Sequence, residues 1–235
     1  MGTSIAGISD GIIAGTYRTA SQPNRGFIYD GSTFTTINVP GAGATGIEDI
    51  DGSSLAGFYV DSNSKRRGFV YNGSTFTTLD GPAAFSTDAL GVSGDTVVGY
   101  YIDAAVTDGS RRRHGFIYDG SSLTTLDYPG ASWTELHHVS DGVMIGAYGD
   151  RTGLTTFFYD GSTFMSPLSF LGYDVSPAGI SGNTVFGAYS DPFGTTSGFI
   201  LQIPEPAGAT LFGIAGIGLL ARRLKPAPCS RDSAS

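Results

Sequence analysis

Four aspartates stand at one recurring position. Asp61, Asp103, Asp150 and Asp191 each follow by two residues the tyrosine of a Gly-x-Tyr element. Oxygen ligands repeated in this way suit Ca²⁺. Each copy supplies a single carboxylate, however, and the first copy has Thr19 in its place. The plainer chemistry is a turn-capping carboxylate that accepts nearby backbone N–H groups, with calcium as the alternative. A second set is basic. Arg66 and Arg67 form one cluster and Arg111, Arg112 and Arg113 another, and Trp133, the sole tryptophan, falls at the same expected end of the domain. Guanidinium groups beside an indole could hold an anionic polysaccharide or stack on a sugar ring. The plainer alternatives are loops that keep the chain soluble and a tryptophan packed between neighbouring repeats.

Acid–base or nucleophilic catalysis finds no such set. The glutamates are only Glu48, Glu135 and Glu205, and no non-repeating carboxylate pair stands out for acid–base work. His114 ends an arginine run and is expected to be solvated. His137 and His138 are adjacent, which on a strand sends them to opposite faces and prevents joint chelation. No Gly-x-Ser-x-Gly elbow lies between a strand and a helix. The chain is therefore read as a non-enzyme, with no catalytic residues and no cofactor other than the calcium alternative.

The elements that must position these residues are repeats. Phe27-Ile28-Tyr29-Asp30-Gly31-Ser32 returns at Phe69, Phe116 and Phe157, and in a degraded form at Gly198-Phe199-Ile200-Leu201; the third residues, 29, 71, 118, 159 and 201, are 42, 47, 41 and 42 residues apart. Gly-x-Tyr ends at Tyr17, Tyr59, Tyr101, Tyr148 and Tyr189. There are thus five repeats of about 42 residues. Each divides into four short strands: A (Gly7-Ile8-Ser9), B (Ile12 to Tyr17), C (Phe-Ile-Tyr) and D (Phe34-Thr35-Thr36-Ile37). Asp-Gly, Asn-Gly and Gly-Asp pairs between A and B and between C and D favour tight antiparallel hairpins. Pro40, Pro82 and Pro129 stop strand D. Four antiparallel strands per repeat of this length predict an all-β, five-bladed β-propeller over 1–203, with a β-solenoid as the alternative. The fifth repeat lacks a strand D, since Gln202-Ile203-Pro204 ends it.

Composition agrees with many short strands: 36 glycines, 27 Phe and Tyr, and only 14 % charged residues. A net charge of −8 disfavours nucleic acid as a partner. The lone Cys229 excludes an internal disulfide. Nine of the 13 basic residues fall in the B–C connections, whereas Asp10, Asp30, Asp51, Asp95, Asp119, Asp141 and Asp160 occupy hairpin turns. A four-stranded meander sends these to opposite ends, so one end is expected to be acidic and the other mixed.

Beyond Ile203 the pattern changes. Pro204-Glu205-Pro206 precedes an uncharged 15-residue run, Ala207 to Ala221, then Arg222-Arg223, with a polar tail over 225–235. The run is short for a permanent span, and the arginines would stay on the cytoplasmic side. A C-terminal apolar helix over 204–224 is expected, a short transmembrane helix used as a transient anchor. These three parts in this order resemble the PEP-CTERM sorting signal of Gram-negative bacteria, and His114-Gly115-Phe116-Ile117-Tyr118 is similar to the HAF-type extracellular repeats found upstream of that signal. The resemblance implies Pro204, Glu205, Pro206, Arg222 and Arg223 as the sorting signal and an exosortase-type enzyme as partner. It further implies a structural or adhesive role at the cell surface or in the extracellular matrix, in contact with exopolysaccharide in a biofilm. No leader-like segment opens the chain at Met1-Gly2-Thr3-Ser4-Ile5, so an upstream export segment is expected to precede it.

Overall fold

Glycine punctuates the chain where backbone geometry demands it. In the A–B turns, Asp10 and Gly11 both take positive φ (49° and 80°), as do Asp141 and Gly142 (48° and 81°), the conformation that matches the twist of the strands that a two-residue turn joins. The C–D connection differs from the expected two-residue turn. Tyr29 pairs with Phe34, which leaves a four-residue loop, Asp30 to Thr33. Asp30 Oδ1 accepts the N–H groups of Ser32 (2.9 Å) and Thr33 (2.7 Å). Asn72, Asp119 and Asp160 do the same in the later repeats. The Asp-Gly-Ser pattern is thus the signature of a side-chain-capped loop.

The computed structural model describes residues 2–104, 112–150, 153–165, 174–190 and 195–203. All regular elements among them are strands. The chain divides into two compact units, Met1–Pro167 and Leu168–Ser235. In the first unit, sheet 1 comprises β1 (Gly2–Ser9), β2 (Ile12–Arg18), β3 (Arg25–Tyr29) and β4 (Phe34–Ile37). Sheet 2 comprises β5 (Ala44–Asp51), β6 (Ser54–Val60), β7 (Arg66–Tyr71) and β8 (Phe76–Leu79). Sheet 3 comprises β9 (Ala84–Ser93), β10 (Thr96–Asp103), β11 (Arg113–Tyr118) and β12 (Leu123–Leu126). Sheet 4 comprises β13 (Trp133–Ser140), β14 (Val143–Asp150), β15 (Gly153–Tyr159) and β16 (Phe164–Met165). In the second unit, β17 (Asp174–Ser181), β18 (Thr184–Ser190) and β19 (Thr196–Gln202) form a three-stranded sheet among the described residues. Every pairing is antiparallel and sequential. This is the β-propeller fold, one sheet per repeat and five blades.

Strand A is longer than Gly-Ile-Ser predicts: it starts at Gly2 in sheet 1 and runs ten residues in sheet 3. Each strand A also carries a β-bulge at the same place, with Ala6, Glu48, Leu90, His137 and Ala178 as the extra residue. A bulge interrupts the alternation of faces, which is why a short apolar motif understated the strand.

Phe27, Phe69, Phe116 and Phe157 are at most 1 % exposed, so the first aromatic of each strand C is the core residue. The Gly of Gly-x-Tyr makes room for it. At Gly99 a Cβ would lie 2.0 Å from the Asp88 carbonyl oxygen and 2.9 Å from the Phe116 ring. The tyrosine of the same element reaches across to strand D: Tyr59 and Tyr101 hydroxyls lie 2.9 Å from Thr78 and Thr125 Oγ1. Apolar clusters then join consecutive sheets, for example Ala56 and Leu79 of sheet 2 with Ala89, Val97 and Phe116 of sheet 3.

Polar links run between sheets as well. Ser9 Oγ accepts the Gly52 N–H (2.8 Å), Asp51 Oδ2 the Gly94 N–H (2.7 Å) and Ser93 Oγ the Asp141 N–H (3.4 Å). Thr45, Thr87 and Thr134, all fully buried, accept N–H groups of Val39, Gly81 and Tyr128 and tie down the D–A connections.

Candidate functional site

Three register-equivalent positions meet wherever one sheet of the first unit packs on the next. One is the middle residue of Gly-x-Tyr on strand B. Another lies two residues before the strand C glycine that pairs with it. The third is on strand A of the following sheet. Between sheets 1 and 2 they hold Thr16, Asn24 and Gly46, and Thr16 Oγ1 simply accepts the Ile47 N–H (2.8 Å). Between sheets 2 and 3 they hold Phe58, Arg66 and Asp88. Between sheets 3 and 4 they hold Tyr100, Arg113 and Glu135. An aromatic, a guanidinium and a carboxylate thus replace small neutral residues at two successive junctions.

The two copies differ in openness. The Arg66 guanidinium carbon stands over the Phe58 ring, 3.2 Å from its centroid, and Nε donates to Asp88 Oδ1 (2.6 Å). The Asp88 side chain is only 4 % exposed. Glu48, on the bulge of β5, is solvent-accessible, yet the surrounding protein raises its carboxyl, Arg66 opposing and Asp88 adding to the effect. In the second copy Arg113 Nη1 donates to Glu135 Oε1 (2.7 Å), but the guanidinium stands 5.7 Å from the Tyr100 centroid and 5.9 Å from that of Trp133. Its side chain is 50 % exposed. Glu135 also meets His137 Nε2 at 3.1 Å. Burial raises the Glu135 carboxyl, but His137 and Arg113 outweigh it and hold the group below the ordinary glutamate value. Burial, with Asp88 and Glu135 adding to it, pushes the Tyr100 phenol up to about 12, so it stays a neutral donor.

Lys65, Arg67 and His114 are paired too. Arg67 is held between Asp61 Oδ2 (2.7 Å) and Asp80, with Lys65 3.9 Å from Asp80. Sheet 3 repeats the pattern with histidine in place of arginine: His114 Nδ1 lies 2.8 Å from Asp127 and Nε2 3.8 Å from Asp103, and its ring stacks on Tyr101. His114 is thus held between two carboxylates and only 20 % exposed, which corrects the expectation of a solvated side chain. A strand C position that reads as part of an arginine run faces a pair of acids, Asp103 at the end of strand B and Asp127 in the D–A connection.

Of the repeated aspartates, Asp61 caps its turn. Its Oδ1 accepts the N–H groups of Asn63 (2.8 Å) and Lys65 (2.9 Å), and the Arg67 and backbone hydrogen bonds hold its carboxyl low. Asp103 Oδ1 accepts the Arg112 N–H (2.8 Å). Among the described residues no three His, Cys, Asp or Glu side chains gather as a metal site. Asp191 and the Asp150 side chain lie outside the described residues, as does Arg111; Arg112 is exposed.

Trp133 opens β13, and its indole rests against Gly149. The bulge at His137 brings the His137 and His138 rings to 6.5 Å, edge to face; plain strand alternation would have parted them. Tyr128, in the preceding connection, stacks on Tyr148 at 3.7 Å. Pro204, Glu205, Pro206, Arg222, Arg223, the apolar run and the tail lie outside the described residues. Among the described residues no helix is long and apolar enough to cross a membrane.

No protein-family model matches the chain, and no curated protein matches it either. Solved structures do. The β-propeller domain of the Trilobed protease from Pyrococcus furiosus is 12 % identical with a TM-score of 0.59, over 84 % of this chain and 68 % of that one. An acylaminoacyl peptidase is 12 % identical with a TM-score of 0.57, over 84 % of this chain and 37 % of its own length. A six-bladed fungal lectin from Aleuria aurantia, described with a fucose recognition mode, is 15 % identical with a TM-score of 0.46, over 84 % of this chain and 74 % of that one. What this chain shares with the two peptidase structures is the propeller fold.

Proposed function

We propose that this chain is a non-catalytic carbohydrate-binding propeller that acts outside the cell, as an adhesive surface or matrix protein delivered by its C-terminal segment. The observation that carries the binding reading is the open copy of the repeated junction. Arg113, half exposed, stands near both the Tyr100 (5.7 Å) and Trp133 (5.9 Å) ring centroids with Glu135 at its side. A sugar offers a C–H face that packs on aromatic rings and vicinal hydroxyls that both donate and accept. A guanidinium next to a carboxylate supplies both complements within one hydroxyl spacing. Charge balance narrows the ligand further. Arg66, Arg67 and Arg113 each have an acidic partner, so the mixed end favours a neutral glycan over a polyanion.

The export reading draws its support from the sequence: Pro204-Glu205-Pro206, the apolar run and Arg222-Arg223 in that order. Binding is tested by passing the full chain over immobilised neutral and acidic polysaccharides at low and high salt. Retention on a neutral polymer that survives high salt, and that is lost in Arg113→Ala and Trp133→Ala but kept in Arg112→Ala, is the expected result. No retention on any polymer would overturn the binding reading. Retention on acidic polymers alone, abolished by salt, would overturn the neutral assignment. Export is tested separately by appending residues 204–235 to a secreted reporter in a host that contains an exosortase.

A further inference from the structure

The chain has five asparagines, Asn24, Asn38, Asn63, Asn72 and Asn183, and Asn72 alone precedes a glycine. It opens the C–D loop of sheet 2, at the position held by Asp30, Asp119 and Asp160 in sheets 1, 3 and 4. Its side chain is exposed, and its Oδ1 gathers four donors. These are the N–H and Oγ of Ser74 (3.0 and 2.9 Å) and the N–H and Oγ1 of Thr75 (2.8 and 3.1 Å). Donors on a carbonyl oxygen make its carbon more electrophilic and stabilise the oxyanion formed on attack. The neighbouring nucleophile is the Gly73 amide: Gly73 has no side chain, its φ is 89°, Ser53 lies beside it, and no described residue accepts its N–H.

We propose that Asn72 is a self-modification site, at which the carboxamide is converted to a carboxylate without an enzyme. The Gly73 amide nitrogen attacks Asn72 Cγ and forms a C–N bond. The Cγ–Nδ2 bond breaks, and Nδ2 leaves as ammonia with the proton lost by the Gly73 nitrogen. Solvent water then opens the five-membered imide at one of its two carbonyls, giving aspartate or isoaspartate.

The two products have different consequences. Aspartate recreates what the sister repeats already carry: Asp119 Oδ1 accepts Ser121 and Ser122 N–H at 2.9 and 2.8 Å in the same loop. The turn survives and the acidic end gains one negative charge. Isoaspartate lengthens the main chain by a methylene and displaces the Tyr71–Phe76 pair that begins the β7–β8 ladder. Asn72 is therefore a timer on one blade, and its two outcomes are a silent gain of charge and a loosened hairpin.

The test ages the folded full-length chain in mildly alkaline buffer, digests it and follows all five asparagines by mass spectrometry, with a urea-unfolded sample in parallel. The expected result is loss of the Asn72 peptide to a form with the mass of an NH₂-to-OH exchange, labelled in part by an isoaspartyl methyltransferase, while the other four asparagines stay intact. Asn72→Gln should abolish the labelling, and Asn72→Asp should melt like the parent protein. Conversion in urea with none in the folded chain would overturn the proposal, as would equal conversion at all five positions.

Discussion

Arg66 and Arg113 occupy the same register, yet their removal should have unequal costs. In Arg66→Ala the Asp88 carboxylate, 4 % exposed, loses the guanidinium that neutralises it. Breaking a buried pair from one side costs about 3–5 kcal/mol; because the Arg66 head is itself 40 % exposed, the lower end, about 3 kcal/mol, applies. Loss of the stack on Phe58 adds about 1 kcal/mol. In Arg113→Ala, by contrast, the removed side chain is half exposed and Glu135 keeps His137, so the cost should stay below about 1 kcal/mol, as for a surface pair. Denaturant unfolding followed by the fluorescence of Trp133, the single tryptophan, measures both. A paired Arg66→Met, Asp88→Leu variant should return to within about 1 kcal/mol of the parent, since no charge is then left buried. If Arg66→Ala proves as mild as Arg113→Ala, the account of Asp88 as a desolvated, arginine-dependent carboxylate is wrong.

Three other outcomes are expected. Burial pushes Asp49 up to about 6, against the Val92 and Ile50 N–H groups that favour its charge. A raised carboxyl contributes stability that is present below its unfolded value of 3.8 and lost as pH rises through 6. Asp49→Asn should remove about 2–3 kcal/mol of that pH dependence between 4 and 6; the variant-minus-parent profile isolates it from His138, whose burial-lowered value acts in the opposite sense. Gly99→Ala should leave little folded protein by circular dichroism, because its Cβ would lie 2.0 Å from the Asp88 carbonyl oxygen and neither backbone can yield. Thr134→Val should cost about 1–3 kcal/mol in the same denaturation assay, by orphaning the Tyr128 N–H that its buried hydroxyl accepts.

Much of this fold was legible because its signals are local. The Phe of strand C and the Gly-x-Tyr element recur five times and the Asp-Gly or Asn-Gly pair after strand C four times, each acting within one hairpin, so strand order and the core aromatic follow from spacing alone. The bulges were not legible. One extra residue in strand A leaves no compositional mark, and the five residues that fill the place, Ala6, Glu48, Leu90, His137 and Ala178, range from small and apolar to charged. The candidate site was visible only in part. Arg66, Arg113 and Trp133 stood out as basic and aromatic residues, but their partners come from the next blade and no single repeat contains both. A usable signal did exist: Arg66 precedes Asp88 by 22 residues, and Arg113 precedes Glu135 by the same 22. Residues that depart from a repeat yet keep a fixed spacing to one another mark a junction between units.

The staples at the A–B turns carry a consequence for how such a chain can change length. Each turn of sheets 1 to 3 offers an acceptor forward and those of sheets 2 to 4 offer an N–H back: Ser9 to Gly52, Asp51 to Gly94, Ser93 to Asp141. Serine and aspartate serve interchangeably as the acceptor. Duplication or loss of a whole repeat would therefore leave these turn staples satisfied, whereas the charged junctions at Asp88 and Glu135 require the preceding repeat to supply an arginine. A gene built this way can vary its copy number in single steps, and new chemistry can settle on one junction while its neighbours keep the fold.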